Sequence, residues 1–277
     1  MRSLKGKSVV ITGAASGIGE ALATGMAQRG ARLLLADIDA VGLQRVVGTI
    51  QNMGVECHGL VTDTGSESAI HALAEEARTR LGGADVLINN AGVALVSPVE
   101  GMPTKDAHWL MNINFWGVVH GCQAFLPQLR ERPEAVLVNV SSIFAMVSMP
   151  TQSIYNASKA AVRGFSDALR EELRGTPITV LTVHPGGIKT NIANKARITD
   201  SRMVASSDQA FRSHFEQVAR TTPAQAAEAI IQAIETGKTR LLIGADARVL
   251  DWMFRLVPTR SSRWLTDISR SMSKRAK

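Results

Sequence analysis

The chain has 277 residues, 45% hydrophobic and 20% charged, which is typical of a globular enzyme with a substantial buried core. Its net charge of +7 (31 − 24) is concentrated in residues 240–277, which carry nine basic and three acidic residues, so the near-neutral remainder is not expected to bind nucleic acid. The apolar runs are too short to span a membrane and the N-terminus lacks the apolar stretch of a signal peptide, which predicts a cytoplasmic protein with two free cysteines.

Strand-like and helix-like segments alternate from the N-terminus without a linker between them. Apolar and β-branched runs predict seven strands, at Ser8–Thr12, Arg32–Ala36, Val55–Val61, Asp85–Asn89, Ala135–Val140, Ile178–His184 and Arg240–Ile243. Amphipathic stretches predict helices that begin near Gly17, Val41, Ser66, Lys105, Tyr155 and Pro223. Strands separated by helices require crossover connections, so we predict an α/β fold with a mainly parallel sheet covered on both faces. Ligands of such sheets bind at the carboxyl ends of the strands.

A glycine-rich turn follows the first strand, in the sequence Thr12-Gly-Ala-Ala-Ser-Gly-Ile-Gly19. Gly13, Gly17 and Gly19 would let the backbone turn tightly and approach a pyrophosphate, which the free N–H groups of the following helix would face. Glycine-rich turns are common in isolation. The position of this one between a strand and a helix at the start of the chain favours a dinucleotide site.

Asp37 closes the second strand. A carboxylate there would accept hydrogen bonds from the adenosine ribose hydroxyls and repel a 2′-phosphate, so we predict NAD rather than NADP. The alternative is a solvated loop aspartate such as Asp39. No basic residue stands at Ser16 or Ile38, where a phosphate clamp is expected, and Arg32 lies at the far end of the strand.

Polar residues follow the third and fourth strands, and another interrupts a later helix. Asp63 and the sequence Asn89-Asn-Ala-Gly92 would let an adenine or ribose approach the sheet closely, although both are also compatible with ordinary turns. Asn114 falls in a helical stretch, where a polar side chain competes with backbone hydrogen bonding. It would hold a water chain in a kinked helix or act as a structural cap.

The acid–base candidates lie between residues 142 and 159. Tyr155, the only tyrosine, and Lys159 are four residues apart and would share a helix face. A free tyrosine has a pKa of about 10, and a nearby ammonium would stabilise its phenolate. Ser142 would donate a hydrogen bond to a substrate oxygen on which negative charge develops. Because Tyr-x-x-x-Lys alone is more often a packed tyrosine beside a solvated lysine, the assignment depends on the other motifs.

Together these motifs resemble those of the short-chain dehydrogenase/reductase family over roughly residues 5–245. The matching elements are Thr12-Gly-x-x-x-Gly-x-Gly19, Asp63, Asn89-Asn-Ala-Gly92, Asn114, Ser142, Tyr155-x-x-x-Lys159 and Pro185-Gly186 with Thr190. The resemblance implies a Rossmann-type, doubly wound, seven-stranded sheet with helices on both faces, in one catalytic domain of residues 1–245. It also implies a homodimer or homotetramer built partly on the helices around Lys105–Arg130 and Tyr155–Arg174.

The family's functional residues can be carried over position by position. By this resemblance Asn114, Ser142, Tyr155 and Lys159 form a catalytic tetrad, with Tyr155 as the acid/base. The implied cofactor-binding residues are Gly13, Ser16, Gly17, Ile18, Gly19, Asp37, Ile38, Asp63, Thr64, Asn90, Ala91, Gly92, Tyr155, Lys159, Pro185, Gly186, Ile188 and Thr190. No metal site is expected. The implied reaction is NAD-dependent hydride transfer between a secondary alcohol or ketone and the nicotinamide.

Two other functions stay open at this point. The first is an NADPH-dependent ketoreductase of the acyl-carrier type, against which Asp37 argues. The second is a cofactor-sensing binding protein without turnover, against which the complete tetrad argues.

The region expected near the substrate is apolar. Val93–Val96 and Phe144–Pro150 predict a hydrophobic alcohol or ketone, unless these side chains simply pack the cleft wall. Residues 191–222 are interpreted as a substrate lid within the domain, with Phe211 and Phe215 one helical turn apart. For His184 we predict a packing role at the end of a strand.

Residues 246–277 form a basic amphipathic extension. Val249–Val257 is dense in apolar residues and Pro258 interrupts it. A helical projection of the following segment gathers one apolar face, made of Trp264, Leu265, Ile268 and Met272, opposite Arg263, Arg270 and Lys274. Such a helix would suit peripheral contact with an anionic membrane. The favoured alternative is that its apolar face covers a neighbouring subunit or the substrate cleft.

Overall fold

The computed structural model describes residues 1, 3–199 and 220–263, and the fold is given for these residues. Seven strands form the main sheet: β1 (Ser8–Thr12), β2 (Arg32–Asp37), β3 (Cys57–Val61), β4 (Val86–Asn89), β6 (Ala135–Val140), β7 (Ile178–Pro185) and β9 (Arg240–Ile243). Two short strands, β5 (Leu95–Val96) and β8 (Arg197–Ile198), pair separately. Every pairing in both sheets is parallel.

Within residues 1, 3–199 and 220–263, α-helices connect or follow these strands. They are α1 (Gly17–Gln28), α2 (Ala40–Gln51), α3 (Glu67–Leu81), α4 (Thr104–Met111), α5 (Gly117–Arg130), α6 (Ser153–Glu172), α7 (Pro223–Glu235) and α8 (Ala245–Leu256). A π-helical turn, Asn112–Trp116, joins α4 to α5. The helix predicted from Lys105 onward is therefore continuous, and it accommodates Asn114 in one wider turn.

The main sheet confirms the predicted seven-stranded Rossmann-type architecture. Its strand order is β3-β2-β1-β4-β6-β7-β9, so the direction of winding reverses between β1 and β4. In open α/β sheets the ligand crevice lies at this reversal, outside the carboxyl ends of the strands. The predicted strand ends differ from the observed ones by at most two residues, the largest difference being that β3 begins at Cys57 rather than Val55. The two-residue strands β5 and β8 are too short to give an alternation signal in the sequence.

Two apolar layers cover the sheet. One contains buried residues of α1, α2 and α7, such as Leu22, Val46 and Ile230, and the other contains residues of α3, α5 and α6, such as Leu73 and Phe125. Side chains alternate between the layers along each strand, as expected from the two-residue period of a strand. Because both faces are covered, the strands are nearly continuous apolar runs.

The helix α8 packs beside the end of β6. Ala247 joins Ile143, Met146 and Val147 in a small buried cluster. Asp251 of α8 is buried and pairs with Arg240 and Arg255. Burial alone raises the pKa of Asp251, but the hydrogen bonds and charges of the two arginines hold it below its ordinary value. In the part of the chain that the structure describes, no helix is long and apolar enough to cross a membrane.

Candidate active site

The turn after β1 has glycines at positions where a side chain would collide with the neighbouring backbone. Gly13 and Gly17 have φ angles of 66° and 60°, in the left-handed region that favours glycine. A Cβ atom on Gly13 would lie 2.8 Å from Cα of Ala91, and one on Gly19 would lie 2.0 Å from the carbonyl oxygen of Gly13. The turn leads directly into the N-terminus of α1, an arrangement that presents free N–H groups to an anion. Ser16 is the N-cap residue, and its side chain makes no capping hydrogen bond.

Asn90 connects this turn to the end of β4 through hydrogen bonds. Its Nδ2 donates to the carbonyl oxygens of Thr12 (2.9 Å) and Gly13 (3.0 Å). In the other direction, Thr12 Oγ1 accepts hydrogen bonds from the backbone N–H groups of Asn90 (3.0 Å) and Ala91 (3.1 Å). Two motifs that are far apart in the sequence are therefore one structural unit, in which the Asn90 side chain supports the backbone of the turn.

The carboxylate of Asp37 stands beside the same turn. Its Oδ2 accepts a hydrogen bond from the backbone N–H of Ala15 (2.9 Å) and its Oδ1 accepts one from Asp39 (2.9 Å). Ile38, the next residue, is 67% exposed. Arg32 is at the opposite end of β2, where Nη2 donates to Ser8 Oγ (2.6 Å). The placement agrees with the expectation that Arg32 cannot reach a phosphate at the turn.

Arg45 of α2 also reaches the turn, although nothing in the sequence singles it out. Its Nη2 donates to the carbonyl oxygen of Ala15 (3.2 Å), and its guanidinium pairs with both carboxylate oxygens of Glu20 (2.7 and 2.9 Å). The hydrogen bond and charge of Glu20 raise the pKa of Arg45. Its positive charge is thus already paired within the protein.

Ser142, Tyr155 and Lys159 meet at the carboxyl end of β6. The Ser142 hydroxyl caps the short helical turn that follows β6 by accepting from the N–H of Phe144 (3.1 Å), and it is close enough to the phenol of Tyr155 to lower its pKa. Lys159 Nζ lies 5.9 Å from the centre of the Tyr155 ring and donates to the carbonyl oxygen of Val140 (3.1 Å). The structure thereby brings together three residues that the sequence places 17 positions apart at most.

Burial acts on the two titratable members of this group in opposite directions. It raises the pKa of Tyr155, although the hydrogen bond with Ser142 lowers it in part. It lowers the pKa of Lys159 to about 8, since desolvation disfavours the ammonium. Most Lys159 side chains are therefore still charged at pH 7. A phenolate at Tyr155 would need positive charge close by, which Lys159 and an oxidised nicotinamide can supply together.

Asn114 lies in the π-helical turn, fully buried, and connects it to the loop after β4. Its Oδ1 accepts from the N–H of Val93 (2.8 Å), while Nδ2 donates to the Val93 carbonyl oxygen (3.0 Å) and to Ser158 Oγ (3.3 Å). Ser158 Oγ in turn donates to the backbone carbonyl of Tyr155 (2.8 Å). Single π-helical turns are frequent at functional sites. These hydrogen bonds already engage both polar atoms of the Asn114 side chain. The water chain that Asn114 would hold stays a prediction.

The segment after β7 closes the other side of the crevice. Pro185 ends the strand and Ile188 is buried, with 4% exposed. The methyl group of Thr190 would be 3.3 Å from a Cβ on Gly17, so this segment meets the glycine turn. Gly92, after β4, faces the same space, since a Cβ there would lie 3.3 Å from Lys159 Nζ.

Asp63 and Thr64 follow the neighbouring strand β3. Asp63 is exposed and its Oδ1 accepts from the N–H of Gly65 (2.9 Å), whereas Thr64 is buried. They stand at the carboxyl edge of the sheet, where β3 pairs with β2 through Val61 and Asp37.

A dinucleotide fits this crevice. The glycine turn leaves room where side chains would stand, the N-terminus of α1 faces that room, and a carboxylate stands at the end of β2. Among the described residues, no group of three or more His, Cys, Asp or Glu side chains could hold a metal ion.

The apolar segments predicted to line the substrate cleft divide into two groups. Phe144 packs edge-on against Tyr155 with ring centres 6.4 Å apart, and it lines an open groove together with Met149 and Pro150. Met146 and Val147, by contrast, are buried in the cluster under α8. For these two residues the packing alternative is correct. Phe211, Phe215 and the amphipathic segment from Trp264 to the C-terminus lie outside the described residues.

His184, at the end of β7, is 1% exposed and its Nδ1 lies 3.3 Å from the carbonyl oxygen of Ser142. Burial lowers the pKa of His184 from 6.5 to about 4. As the pH falls, His184 therefore binds a proton at a higher pH in the unfolded chain than in the folded one. The contribution of neutral His184 to the free energy of unfolding should be fully present above pH 6.5. It should be lost as the pH falls from 6.5 to 4, which lowers the free energy of unfolding by up to about 3 kcal/mol.

Urea unfolding of wild type and His184→Gln at pH 7.5 and 5 measures this effect. The variant should lose less stability on acidification than wild type does. His71→Gln is the control for the loss of a histidine, because the side chain of His71 is 58% exposed on α3. Equal acid sensitivity in wild type and His184→Gln would assign the effect to other groups.

Known proteins were compared with the chain by sequence and by structure. The family model described as short chain dehydrogenase matches residues 7–201. A putative oxidoreductase, SadH, from Mycobacterium tuberculosis is 37% identical over 260 residues, which cover 93% of each chain. The 1-deoxy-11-beta-hydroxypentalenate dehydrogenase of Streptomyces avermitilis is 38% identical over 191 residues, covering 68% of this chain and 70% of the relative.

Solved structures give the same result. A short chain dehydrogenase/reductase from Burkholderia phymatum, crystallised in complex with NAD, superposes with a TM-score of 0.83 at 30% identity. The match covers 92% of this chain and 96% of the other. The resemblance inferred from the motifs is thereby confirmed at the level of sequence, fold and enzyme class.

Proposed function

The chain belongs to the short-chain dehydrogenase family, and from this premise we propose that it transfers a hydride between a hydrophobic secondary alcohol or its ketone and NAD, with Tyr155 as the acid/base. One observation carries the proposal: Ser142, Tyr155 and Lys159 meet at the end of β6, in the crevice whose other wall is the glycine turn. Residues 1–245 would form the catalytic domain.

Each side chain of the site has a specific role in the proposed reaction. The nicotinamide, when bound, supplies the hydride acceptor. In the oxidative direction Tyr155, as phenolate, removes the proton from the substrate hydroxyl, and Ser142 donates a hydrogen bond to the substrate oxygen. Lys159 stabilises the phenolate by its charge and holds the nicotinamide ribose. Asn114 keeps the helix α6 in register with the loop after β4, and we keep the water relay as part of its role.

For the cofactor we propose NAD on the basis of Asp37. Its carboxylate is already held by two backbone N–H groups beside the turn, so it presents a fixed negative charge where a 2′-phosphate would lie. Arg45 carries the nearest positive charge named above, but Glu20 neutralises it. The NADPH-dependent ketoreductase is therefore the weaker candidate.

The test is a separate titration of NADH and NADPH, followed by the change in nicotinamide fluorescence. We expect wild type to bind NADH at least about tenfold more tightly than NADPH. Asp37→Ser should reduce this ratio of affinities, since a charged hydrogen-bond partner contributes about 1.5–3 kcal/mol. Asp39→Ser is the matched control and should leave the ratio unchanged. A preference of wild type for NADPH would favour the ketoreductase, and failure to bind either dinucleotide would overturn the proposal.

For the substrate we propose a hydrophobic alcohol or ketone. Phe144 packs against Tyr155 and, together with Met149, lines an open groove, and the relative named as a hydroxypentalenate dehydrogenase is, by its name, an enzyme that oxidises an alcohol. Secondary alcohols of increasing chain length, assayed with NAD by absorbance of NADH, should give rising kcat/KM. A flat or falling series would contradict the apolar reading of the groove.

We further propose a cytoplasmic homo-oligomer that pairs through α5 and α6. Trp116, 47% exposed, stacks on His120, whose Nδ1 is buried without a hydrogen-bond partner among the described residues. An exposed indole beside an unpaired imidazole nitrogen suits a surface that a second subunit covers. Light scattering should give a dimer or tetramer, and Trp116→Glu should shift it toward the monomer. A monomeric wild type would refute this part of the proposal.

The exposed face of α8 supports peripheral contact with an anionic membrane. Val249, Trp252 and Leu256 are 58%, 63% and 72% exposed on this face. The exposed charged residues of 245–263 are all arginines, namely Arg248, Arg255, Arg260 and Arg263. Apolar and basic side chains together suit a membrane interface. The protein should co-sediment with vesicles containing phosphatidylglycerol but not with neutral vesicles, and Trp252→Ser should weaken this. A subunit interface instead would show as a changed oligomer size in Trp252→Ser.

A further inference from the structure

The first turn of α8 contains a carboxylate that is enclosed by two glycines. Oδ2 of Asp246 lies 2.2 Å from where a Cβ atom of Gly186 would stand, and Oδ1 lies 2.2 Å from the corresponding position on Gly244. Neither glycine can acquire a side chain while the carboxylate keeps its place. Gly244 also has a φ of 98°, which other residues rarely adopt.

This carboxylate makes a short hydrogen bond to the segment after β7. The backbone N–H of Gly187 donates to Asp246 Oδ2 at 2.6 Å. Hydrogen bonds to an ionised acceptor are about twice as strong as neutral ones. The bond fixes the peptide group between Gly186 and Gly187, one peptide group before the one that leads into Ile188.

The same segment is held from its other side by Thr221. The N–H of Lys189 donates to the carbonyl oxygen of Thr221 (2.9 Å), and Thr221 forms an isolated parallel bridge with Ile188. Residues 186–190 are therefore clamped between Asp246 and Thr221, with Thr190 at their end resting against Gly17.

We propose that Asp246 is a positioning residue for the nicotinamide half of the cofactor. The inference rests on the proposed function, and it takes Ile188 and Thr190, two of the cofactor-binding residues implied by the family resemblance, to hold the nicotinamide carboxamide. By fixing the N–H of Gly187, Asp246 sets the direction in which the backbone of Ile188 presents its own polar groups. Without that bond the segment can adopt several conformations, and binding of the nicotinamide must then order it at an entropic cost.

A purely structural role makes a different prediction. An acidic residue in the first turn of a helix stabilises that helix through its dipole, whatever the segment beside it does. Such a role would change the melting temperature and would not distinguish one half of the cofactor from the other. The test therefore compares two ligands that differ only in the nicotinamide.

The experiment titrates NADH and ADP-ribose, which lacks the nicotinamide ring, into wild type, Asp246→Ala and Asp246→Asn. We expect Asp246→Ala to weaken NADH binding about tenfold and ADP-ribose binding less than twofold. Asp246→Asn keeps the shape and one acceptor oxygen, so it should recover part of the NADH affinity and serves as the test if Asp246→Ala does not fold. Glu67→Ala, at the first turn of α3, is the control for a helix-start carboxylate and should change neither affinity.

Three results would count against the inference. Equal weakening of both ligands would make Asp246 a structural residue, and unchanged binding of both would remove any role in positioning. Wild-type protein that binds neither ligand would overturn the proposed function, and the inference with it. The last outcome is distinguishable from the others because it is seen before any substitution is made.

Discussion

Tyr155→Phe is expected to lower kcat for alcohol oxidation by a factor of about 10²–10⁴, the usual contribution of a positioned general acid or base. The variant removes one oxygen and leaves the ring in place. The edge-on contact with Phe144 and the position of Lys159 should persist, so NADH affinity and melting temperature should stay close to those of wild type. Steady-state kinetics with NADH titration and thermal unfolding measure the three quantities.

The control for this experiment is Ser158→Ala. Ser158 Oγ contacts the backbone of Tyr155 and the amide of Asn114 but not the phenol, so its loss should cost much less activity than Tyr155→Phe. If Tyr155→Phe retains more than about a tenth of the wild-type kcat, proton transfer cannot depend on the phenol, since that loss is below the usual range. A retained biological effect without turnover would revive the cofactor-sensing alternative.

Gly19→Ala is expected to weaken NADH binding by roughly 10–100-fold. A Cβ atom at this position would stand 2.0 Å from the carbonyl oxygen of Gly13 and 2.7 Å from Nδ2 of Asn90, so the turn has to move. Overpacking of this kind costs about 1–3 kcal/mol. Because the displaced backbone is the part that we propose to approach the pyrophosphate, the cost should appear in cofactor affinity as well as in stability.

The chain provides a matched control in Gly48→Ala. Gly48 lies inside α2, and a Cβ there would meet nothing within 4 Å. The same substitution should leave NADH binding unchanged and stabilise the protein by up to about 1 kcal/mol, since alanine favours the helix more than glycine does. Equal NADH affinity in Gly19→Ala and wild type would show that the cofactor does not use this turn.

The architecture follows from the sequence because its strands are fully buried and separated by amphipathic helices. Ala135–Val140 is predicted and observed with identical ends, since Pro133 and the two serines bound it on either side. Asn114 is harder to interpret, because a polar residue within a helical pattern indicates a local irregularity but not its geometry. The structure resolves it as a π-helical turn with no interruption of the helix.

The candidate site is predictable where a motif is local and is missed where long-range contacts create it. Tyr155 and Lys159 are brought together by helical spacing alone. Arg45 and Asp246, in contrast, gain their significance from residues 30 and 59 positions away, Ala15 and Gly187. A single sequence has no signal for such pairs. The Gly-x-Asp that follows β9 is the only local feature that could have drawn attention to Asp246.

The hydrogen bonds from Asn90 to the turn after β1 also bear on how the chain folds. Asn90 and Thr12 are 78 residues apart, and contacts at such separations form slowly because a long loop must first close. The turn is not fastened until β4 has docked beside β1, so a nascent chain that ends after β3 has no completed dinucleotide site. The rate at which NADH binding recovers during refolding would therefore report the docking of β4 beside β1. It would not report the earlier collapse of the chain.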